Sequence, residues 1–202
     1  IAIFGPRQSG KTTLSKLAFP DYSYKNLEDP SEREFASSDP KSFLKDAEKG
    51  MIIDEVQRIP ELLSYIQAVV DENKNVKFII TGSQNYLLLE KISQSLAGRV
   101  FLQQLLPFSI SEIEKLYHPS DYTELIYKGF FPPIYDRNIP VSDWMPSYIQ
   151  TYLERDVREI KNITDQSAFT TFLRLCAGRI GQLLNFNSLG NESGISNNTS
   201  KS

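Results

Sequence analysis

The 202-residue chain holds one cysteine and one histidine, and its charges nearly cancel: 25 acidic side chains against 22 basic, a formal net charge of -3. Each scarcity removes a class of function. Cys176 has no second cysteine for an internal disulfide, and with His118 alone beside it there is no set of soft ligands for a structural zinc. A reducing compartment is expected. The longest apolar runs, around Phe78 to Ile80 and Leu87 to Leu89, fall far below the ~18–20 residues that span a bilayer. No basic segment precedes an apolar one at the N-terminus. The chain is therefore expected to be soluble and cytoplasmic, without a membrane partner. Balanced charge gives no global attraction for nucleic acid, although a local basic face is compatible with it. What the chain does have is 40% hydrophobic residues, enough for one full domain plus a small appendage. It opens on Ile1-Ala2-Ile3-Phe4 and closes on Asn197-Asn198-Thr199-Ser200-Lys201-Ser202, ends that read as cut.

Short apolar runs alternate with amphipathic stretches through the first half. A run at Ile1 to Phe4 meets a glycine loop and then a helical stretch from Lys11 to Phe19. Asp21 to Pro40, acidic and punctuated by proline, suits a surface loop before a helix from Lys41 to Lys49 that Gly50 breaks. Further apolar runs end at Asp54-Glu55 and at Thr81-Gly82-Ser83, with a helix from Pro60 to Val70 between them, and Val100 to Leu106 reads as a last strand. This alternation predicts an α/β unit with a mainly parallel sheet and helices on both faces. From Pro107 the pattern turns helical, interrupted at Gly129-Phe130-Phe131-Pro132-Pro133, with a strong helix from Met145 or Pro146 to Ile160. The expected organisation is a nucleotide-binding core over residues 1–106, a helical extension over 107–161 and a terminal segment over 162–202.

Gly5-Pro6-Arg7-Gln8-Ser9-Gly10-Lys11-Thr12 fits G-x-x-x-x-G-K-[ST] between an apolar run and a helix, the context that makes the pattern a P-loop. Wrapping a polyphosphate in backbone N–H groups requires glycines at the bends, and the following helix adds its positive end. Gly5 to Thr13 are thus the candidate phosphate-binding residues. Lys11 reaches for the β- and γ-phosphates and the Thr12 hydroxyl for Mg²⁺. The second motif, Met51-Ile52-Ile53-Asp54-Glu55, is an apolar strand that delivers two carboxylates. Asp54 is placed to hold Mg²⁺ opposite Thr12, and Glu55 to orient the attacking water. In the third, Phe78 to Gln84, a hydroxyl at the strand end can bond the water or the γ-phosphate. Ser83 is the first choice and Thr81 the second, unless both only cap the next turn.

Together GPRQSGKTT, MIIDEVQRIPELL, FIITGSQNYLL, SLAGRV, LLPFSISEI, GFFPPIY and YIQTYLERDVREI resemble the predicted AAA+-type ATPases that carry an AAA-like core and a C-terminal DUF4143 region. The resemblance spans nearly the whole chain. It implies a P-loop NTPase fold of the additional-strand type, ATP with Mg²⁺ as ligands, and a C-terminal winged-helix-like segment, here partial. Within it Arg99, in the Ala97-Gly98-Arg99 turn, is a candidate for stabilising phosphate charge in cis or across a subunit interface, or else a surface arginine in an ion pair. Tyr152 to Arg158 matches a Tyr-x-x-x-Asp-Val-Arg-like helix, whose charges also suit pairing along one solvated face.

The terminal segment resembles the start of a helix-turn-helix: Phe169 to Leu175, then Leu183 to Gly190, then Ser196 capping a third helix from about Asn197. From Asp165 onward only Arg174, Arg179 and Lys201 face Asp165 and Glu192, no basic stripe for DNA. A DNA or protein partner through this segment, and oligomerisation, stay open. Cys176 is expected to be a buried small hydrophobe, Trp144 a packing residue and His118 a loop residue. The function expected is Mg²⁺-dependent ATP hydrolysis coupled to the C-terminal segment, with a non-hydrolysing ATP-bound DNA- or protein-binding module as the alternative. A GTPase is disfavoured because Asn73-Lys74-Asn75-Val76 lacks the guanine-reading aspartate, and a small-molecule kinase because no arginine-rich lid follows Pro107.

Overall fold

Five parallel strands form one sheet in the order β2-β3-β4-β1-β5: β1 (Ala2–Gly5), β2 (Ser23–Asn26), β3 (Met51–Asp54), β4 (Phe78–Ser83) and β5 (Leu102–Gln104). The computed structural model describes residues 1–83, 91–92, 94–153 and 165–194. The strand β4 lies between β1 and β3, so one additional strand separates the two chemistry-bearing motifs. A parallel sheet needs cover on both sides, and the alternation of side chains along the strands provides for it. Ala2, Phe4, Met51, Ile53, Phe78 and Ile80 join one buried cluster with Ala36, Phe43, Leu62, Leu63 and Ile66. Those partners come from α2 (Pro30–Ser38), α3 (Pro40–Phe43) and α4 (Leu62–Glu72). Ile3, Ile52 and Ile79 form the opposite cluster, packed against Phe19, Tyr22, Tyr24 and Leu105.

Register aligns the strands' C-terminal ends. Gly5 stands beside Ser83, and Asn26 beside Asp54. All the motifs therefore emerge on one rim. Gly5 is fixed by packing as well, since a Cβ there would lie 1.9 Å from the Leu105 carbonyl oxygen.

Asp21 to Pro40 is not a loop but holds β2 and the nine-residue α2. The edge strand Ser-Tyr-Lys-Asn is half-buried throughout, so it lacks the apolar signature of a central strand. Asp29 and Pro30, read as punctuation, are the N-cap and first residue of α2, the Asp29 side chain accepting the Ser31 N–H. The expected Lys41–Lys49 helix is α3 followed by a 3₁₀ turn, Leu44–Ala47, and the last strand shortens from Val100–Leu106 to the exposed edge Leu102–Gln104.

Three short helices complete the first of two compact units, which runs from Ile1 to Ile139: α5 (Ile110–Tyr117), α6 (Tyr122–Lys128) and α7 (Pro132–Asp136). Ser109 and Glu112 form a capping box on α5, and His118 ends it in the left-handed conformation. Phe108, Tyr117 and Tyr135 pack their rings together.

The second unit spans Pro140–Ser202. Its first helix, α8 (Val141–Tyr148), begins earlier than the expected Met145 or Pro146, has Pro146 inside it and passes into a π-helical turn, Ile149–Leu153. The rest of that expected helix, with Tyr152–Arg158 beyond Leu153, lies outside the described residues. Trp144 is buried and stacked on Tyr148, ring centroids 4.6 Å apart. The helices α9 (Gln166–Gly178) and α10 (Phe186–Ser193) follow, capped by Asp165 and Asn185 and tied by an Arg179–Glu192 ion pair. The third helix expected from Asn197 lies outside the described residues. Cys176 is half-buried on α9 rather than buried. Among the described residues no helix is long and apolar enough to cross a membrane.

Candidate functional site

The loop after β1 bends through two left-handed residues, Gln8 (φ 57) and Gly10 (φ 94), before α1 (Lys11–Ala18) begins. Gly10 is the N-cap and supplies no side-chain acceptor, and no acidic residue occupies the first turn. The N–H groups and positive end of α1 are left for an anion. Lys11 is buried, and its ammonium donates to the Gly5 and Pro6 carbonyls at 3.1 and 2.8 Å. Ser9 is buried too, and its hydroxyl has no hydrogen-bond partner among the described residues.

Asp54, at the end of β3, joins the elements together. Its Oδ2 accepts from the Thr12 hydroxyl at 2.7 Å and from the Tyr24 hydroxyl at 2.8 Å, while its Oδ1 accepts from Thr81. A carboxylate only 4% exposed thus receives three hydroxyls from three elements, which compensates its loss of water. Burial, with the Asp54 bond and charge behind it, pushes the Tyr24 phenol well above its ordinary value. The Lys16 ammonium lies 3.5 Å from the centre of the same ring.

Glu55 follows in a left-handed backbone conformation, φ 59 and ψ 46, uncommon for a residue other than glycine. The bend starts a 3₁₀ turn, Val56–Arg58, that folds Gln57 back. Gln57 Nε2 donates to Glu55 Oε2 and, at 3.2 Å, to the Ser83 hydroxyl. Gln57 Oε1 is buried without a partner among the described residues. The Thr81 hydroxyl, besides serving Asp54, accepts the Glu55 backbone N–H at 3.3 Å.

The structure therefore brings Gly5 to Thr13, Asp54, Glu55, Thr81 and Ser83 to one rim. Of the two hydroxyls weighed on β4, Thr81 touches Asp54 and the Glu55 backbone, and Ser83 reaches Glu55 only through Gln57. Arg99 is not among them. It sits in the turn before β5, at the other end of the strands, with both guanidinium edges on Asp71 near the end of α4 (2.6 and 3.0 Å). A cis contact between Arg99 and phosphate is thus corrected, because a parallel strand's start and its C-terminal rim lie at opposite edges of the sheet.

Tyr24 and Gln57 were missed. Tyr24 sits on a strand that the proline-punctuated pattern presents as loop, and the β2–β3 register carries it to Asp54; Gln57, two residues past Glu55, has a signal only in its nearness. A cavity of about 330 Å³ adjoins the loop, lined by Gln8, Lys11, Thr12 and Glu55 and also by Pro132, Pro133, Asp136 and Arg137 of α7 and its end.

Thr12 and Asp54 present a hydroxyl and a carboxylate side by side, a hard-oxygen pair of the kind that takes Mg²⁺ together with phosphate oxygens. With the Ser9 hydroxyl, buried and without a partner among the described residues, and the cradle around Lys11, the residues fit a magnesium nucleotide.

Two family models match the chain. Residues 119–202 match a domain of unknown function, DUF8612. The expected DUF4143 region is thereby corrected: GFFPPIY and YIQTYLERDVREI, which carried that part of the resemblance, both lie inside this match and do not discriminate between helical segments of the two kinds. Uncharacterized proteins of Mycobacterium bovis and Mycobacterium tuberculosis are each 33% identical over 166 residues, covering 79% of this chain and 36% of theirs. The chain thus spans about a third of the length of these curated relatives. Residues 1–114, more than half of the chain, match the model described as AAA domain, and the chain belongs to this AAA-like ATPase family.

Proposed function

We propose that this chain binds ATP with Mg²⁺ in the Gly5–Thr13 loop and hydrolyses it. The observation that carries the reading is the Thr12–Asp54 hydrogen bond, which joins residues 42 apart in sequence from the two motifs a P-loop ATPase requires. Lys11, now satisfied by loop carbonyls, exchanges them for phosphate oxygens at little desolvation cost. Thr12 and Asp54 hold the metal side of the nucleotide. Magnesium, when bound, neutralises charge that builds on the transferring phosphoryl group. Glu55 orients the attacking water and draws on its proton, while Gln57, which also donates to Ser83, fixes the carboxylate. ATP is favoured over GTP by the absent guanine motif and by the family.

The region from residue 119 is the part that nucleotide state moves, and α9 and α10 are the first two helices of a winged-helix-like segment that meets DNA or a protein. Two variants test the reading. Lys11→Ala is expected to weaken ATP binding at least ~100-fold in titration calorimetry, and Glu55→Gln to bind ATP normally while turnover falls ~100-fold or more. Unchanged hydrolysis in Glu55→Gln refutes the role of Glu55. A wild-type chain that binds ATP and never turns it over identifies a binding module instead.

A further inference from the structure

Of the three hydroxyls on Asp54, that of Tyr24 alone comes from outside the motifs. Thr12 belongs to the phosphate loop and Thr81 to β4, whereas Tyr24 lies on the edge strand β2. That strand is fixed without it. It pairs with β3 from Ser23 beside Met51 to Asn26 beside Asp54, the Leu27 N–H donates to the Asp54 carbonyl at 3.1 Å, and Arg58, past the Glu55 bend, meets Glu28 at 2.7 Å. The Tyr24 ring packs on the Ile3, Ile52 and Ile79 cluster. Strand and ring therefore hold their places without the hydroxyl, and its 2.8 Å bond to Asp54 Oδ2 acts in the other direction, on the carboxylate.

The ring has a second hold on the site. Thr12 and Lys16 stand four residues apart on α1, the spacing that puts two side chains on one helix face. Thr12 donates to Asp54 Oδ2 at 2.7 Å, and the Lys16 ammonium lies 3.5 Å from the centre of the Tyr24 ring. Asp54, Thr12, Lys16 and Tyr24 thus close a circuit between α1, β2 and β3. A carboxylate oxygen offers about two lone-pair sites, and on Oδ2 Thr12 and Tyr24 take both. With Thr81 on Oδ1, the carboxylate cannot turn without losing a donor.

We infer that Tyr24 is a positioning residue for the metal side of the site: its hydroxyl, sharing Asp54 Oδ2 with that of Thr12, locks the carboxylate and so fixes the direction in which the Thr12 oxygen faces magnesium. The inference rests on the ATP reading and deepens it, because it adds an edge-strand residue to the groups that set magnesium affinity. Removing an outer partner of a metal site changes metal affinity by about 10- to 100-fold. Thr12 and Thr81 still hold Asp54 when Tyr24 lets go, so the low end applies.

The test measures ATP affinity by titration calorimetry on the full chain, with Mg²⁺ and again in EDTA, for wild type, Tyr24→Phe and Lys16→Met. Tyr24→Phe keeps the packed ring and removes the hydroxyl. It is expected to weaken ATP about 10-fold with Mg²⁺ and less than ~2-fold in EDTA, and to need about 10-fold more Mg²⁺ for turnover while kcat at saturating metal returns to within ~3-fold of wild type. Lys16→Met loosens the ring and leaves Asp54 untouched, so the same magnesium-only loss is expected at ~2- to 3-fold. A merely structural role moves both arms. Equal losses with and without Mg²⁺ in Tyr24→Phe, or no loss in either, overturn the inference while the ATP reading stands. If Tyr24→Phe fails to fold, Lys16→Met decides by the same criterion: a loss in both arms, or in neither, overturns the inference. A wild-type chain that binds no ATP, or binds it equally with and without Mg²⁺, overturns the ATP reading and this inference with it.

Discussion

The two rims of the sheet carry the same kind of chemistry to opposite effect. At the C-terminal rim the Asp54 carboxylate is buried and takes hydroxyls from Thr12, Tyr24 and Thr81. At the other rim the Asp71 carboxylate meets Arg99 in a two-point ion pair whose side chains are 44% and 37% exposed. The second pair has full opposite charges and short distances, and by contact geometry alone it is the stronger. Water reverses the ranking. An exposed pair is screened and contributes little, whereas a buried carboxylate makes every donor around it hard to remove. Burial, not charge or distance, separates the rim that gathers the phosphate-loop and carboxylate motifs from the rim whose ion pair faces water.

Breaking the buried set gives the largest effect. Asp54→Ala leaves the Thr12, Tyr24 and Thr81 hydroxyls without their acceptor and opens a void, and it is expected to cost about 3 kcal/mol in urea unfolding as well as magnesium-dependent nucleotide binding. Thr81→Val keeps the shape and removes one hydroxyl. That change is expected to cost roughly 1–2 kcal/mol and to slow turnover, because the Glu55 backbone N–H loses its acceptor. If either variant unfolds at the wild-type urea concentration, the ranking of the two rims fails.

A smaller change sharpens the comparison within the C-terminal rim. Gln57 holds the Glu55 carboxylate and the Ser83 hydroxyl at once, so Gln57→Ala is expected to lower kcat about 10-fold while ATP affinity changes less than ~3-fold. A positioning residue affects kcat without KM. Parallel loss of both parameters would show that Gln57 merely supports the loop.

Sequence alone made the rim's skeleton legible where chemistry fixes both residue type and spacing. The glycines, Lys11 and Thr12 must follow a strand directly, and Asp54-Glu55 must end one, so an apolar run next to each motif sufficed. Tyr24 and Gln57 were not legible, because each reaches the site through tertiary placement: an edge-strand register and a left-handed bend at Glu55. The edge strand β2 was invisible for the same reason, its half-exposed Ser-Tyr-Lys-Asn having no apolar period. The helix α2 could have been read from Asp29-Pro30 ahead of Ser31-Glu32, an N-cap and first-turn signature overlooked beside its prolines.

The smallest effect belongs to Arg99. Its guanidinium is held charged by Asp71, and the Asp71 carboxyl is held below its ordinary range by Arg99, yet both groups face water. Removing the pair with Arg99→Ala is expected to move the melting temperature by less than ~2 °C. Within one chain it is also expected to leave ATP binding and turnover at wild-type values, because the phosphate loop is at the far end of the strands. An arginine completing a neighbour's site would behave differently: activity would rise with protein concentration in the wild type, and Arg99→Ala would abolish that rise without altering the dilute-solution rate. Measuring turnover across a concentration series, with sedimentation in ATP and magnesium alongside, separates the two cases. A loss of dilute-solution activity in Arg99→Ala would mean the rims communicate, and the division between them drawn from burial would have to be given up.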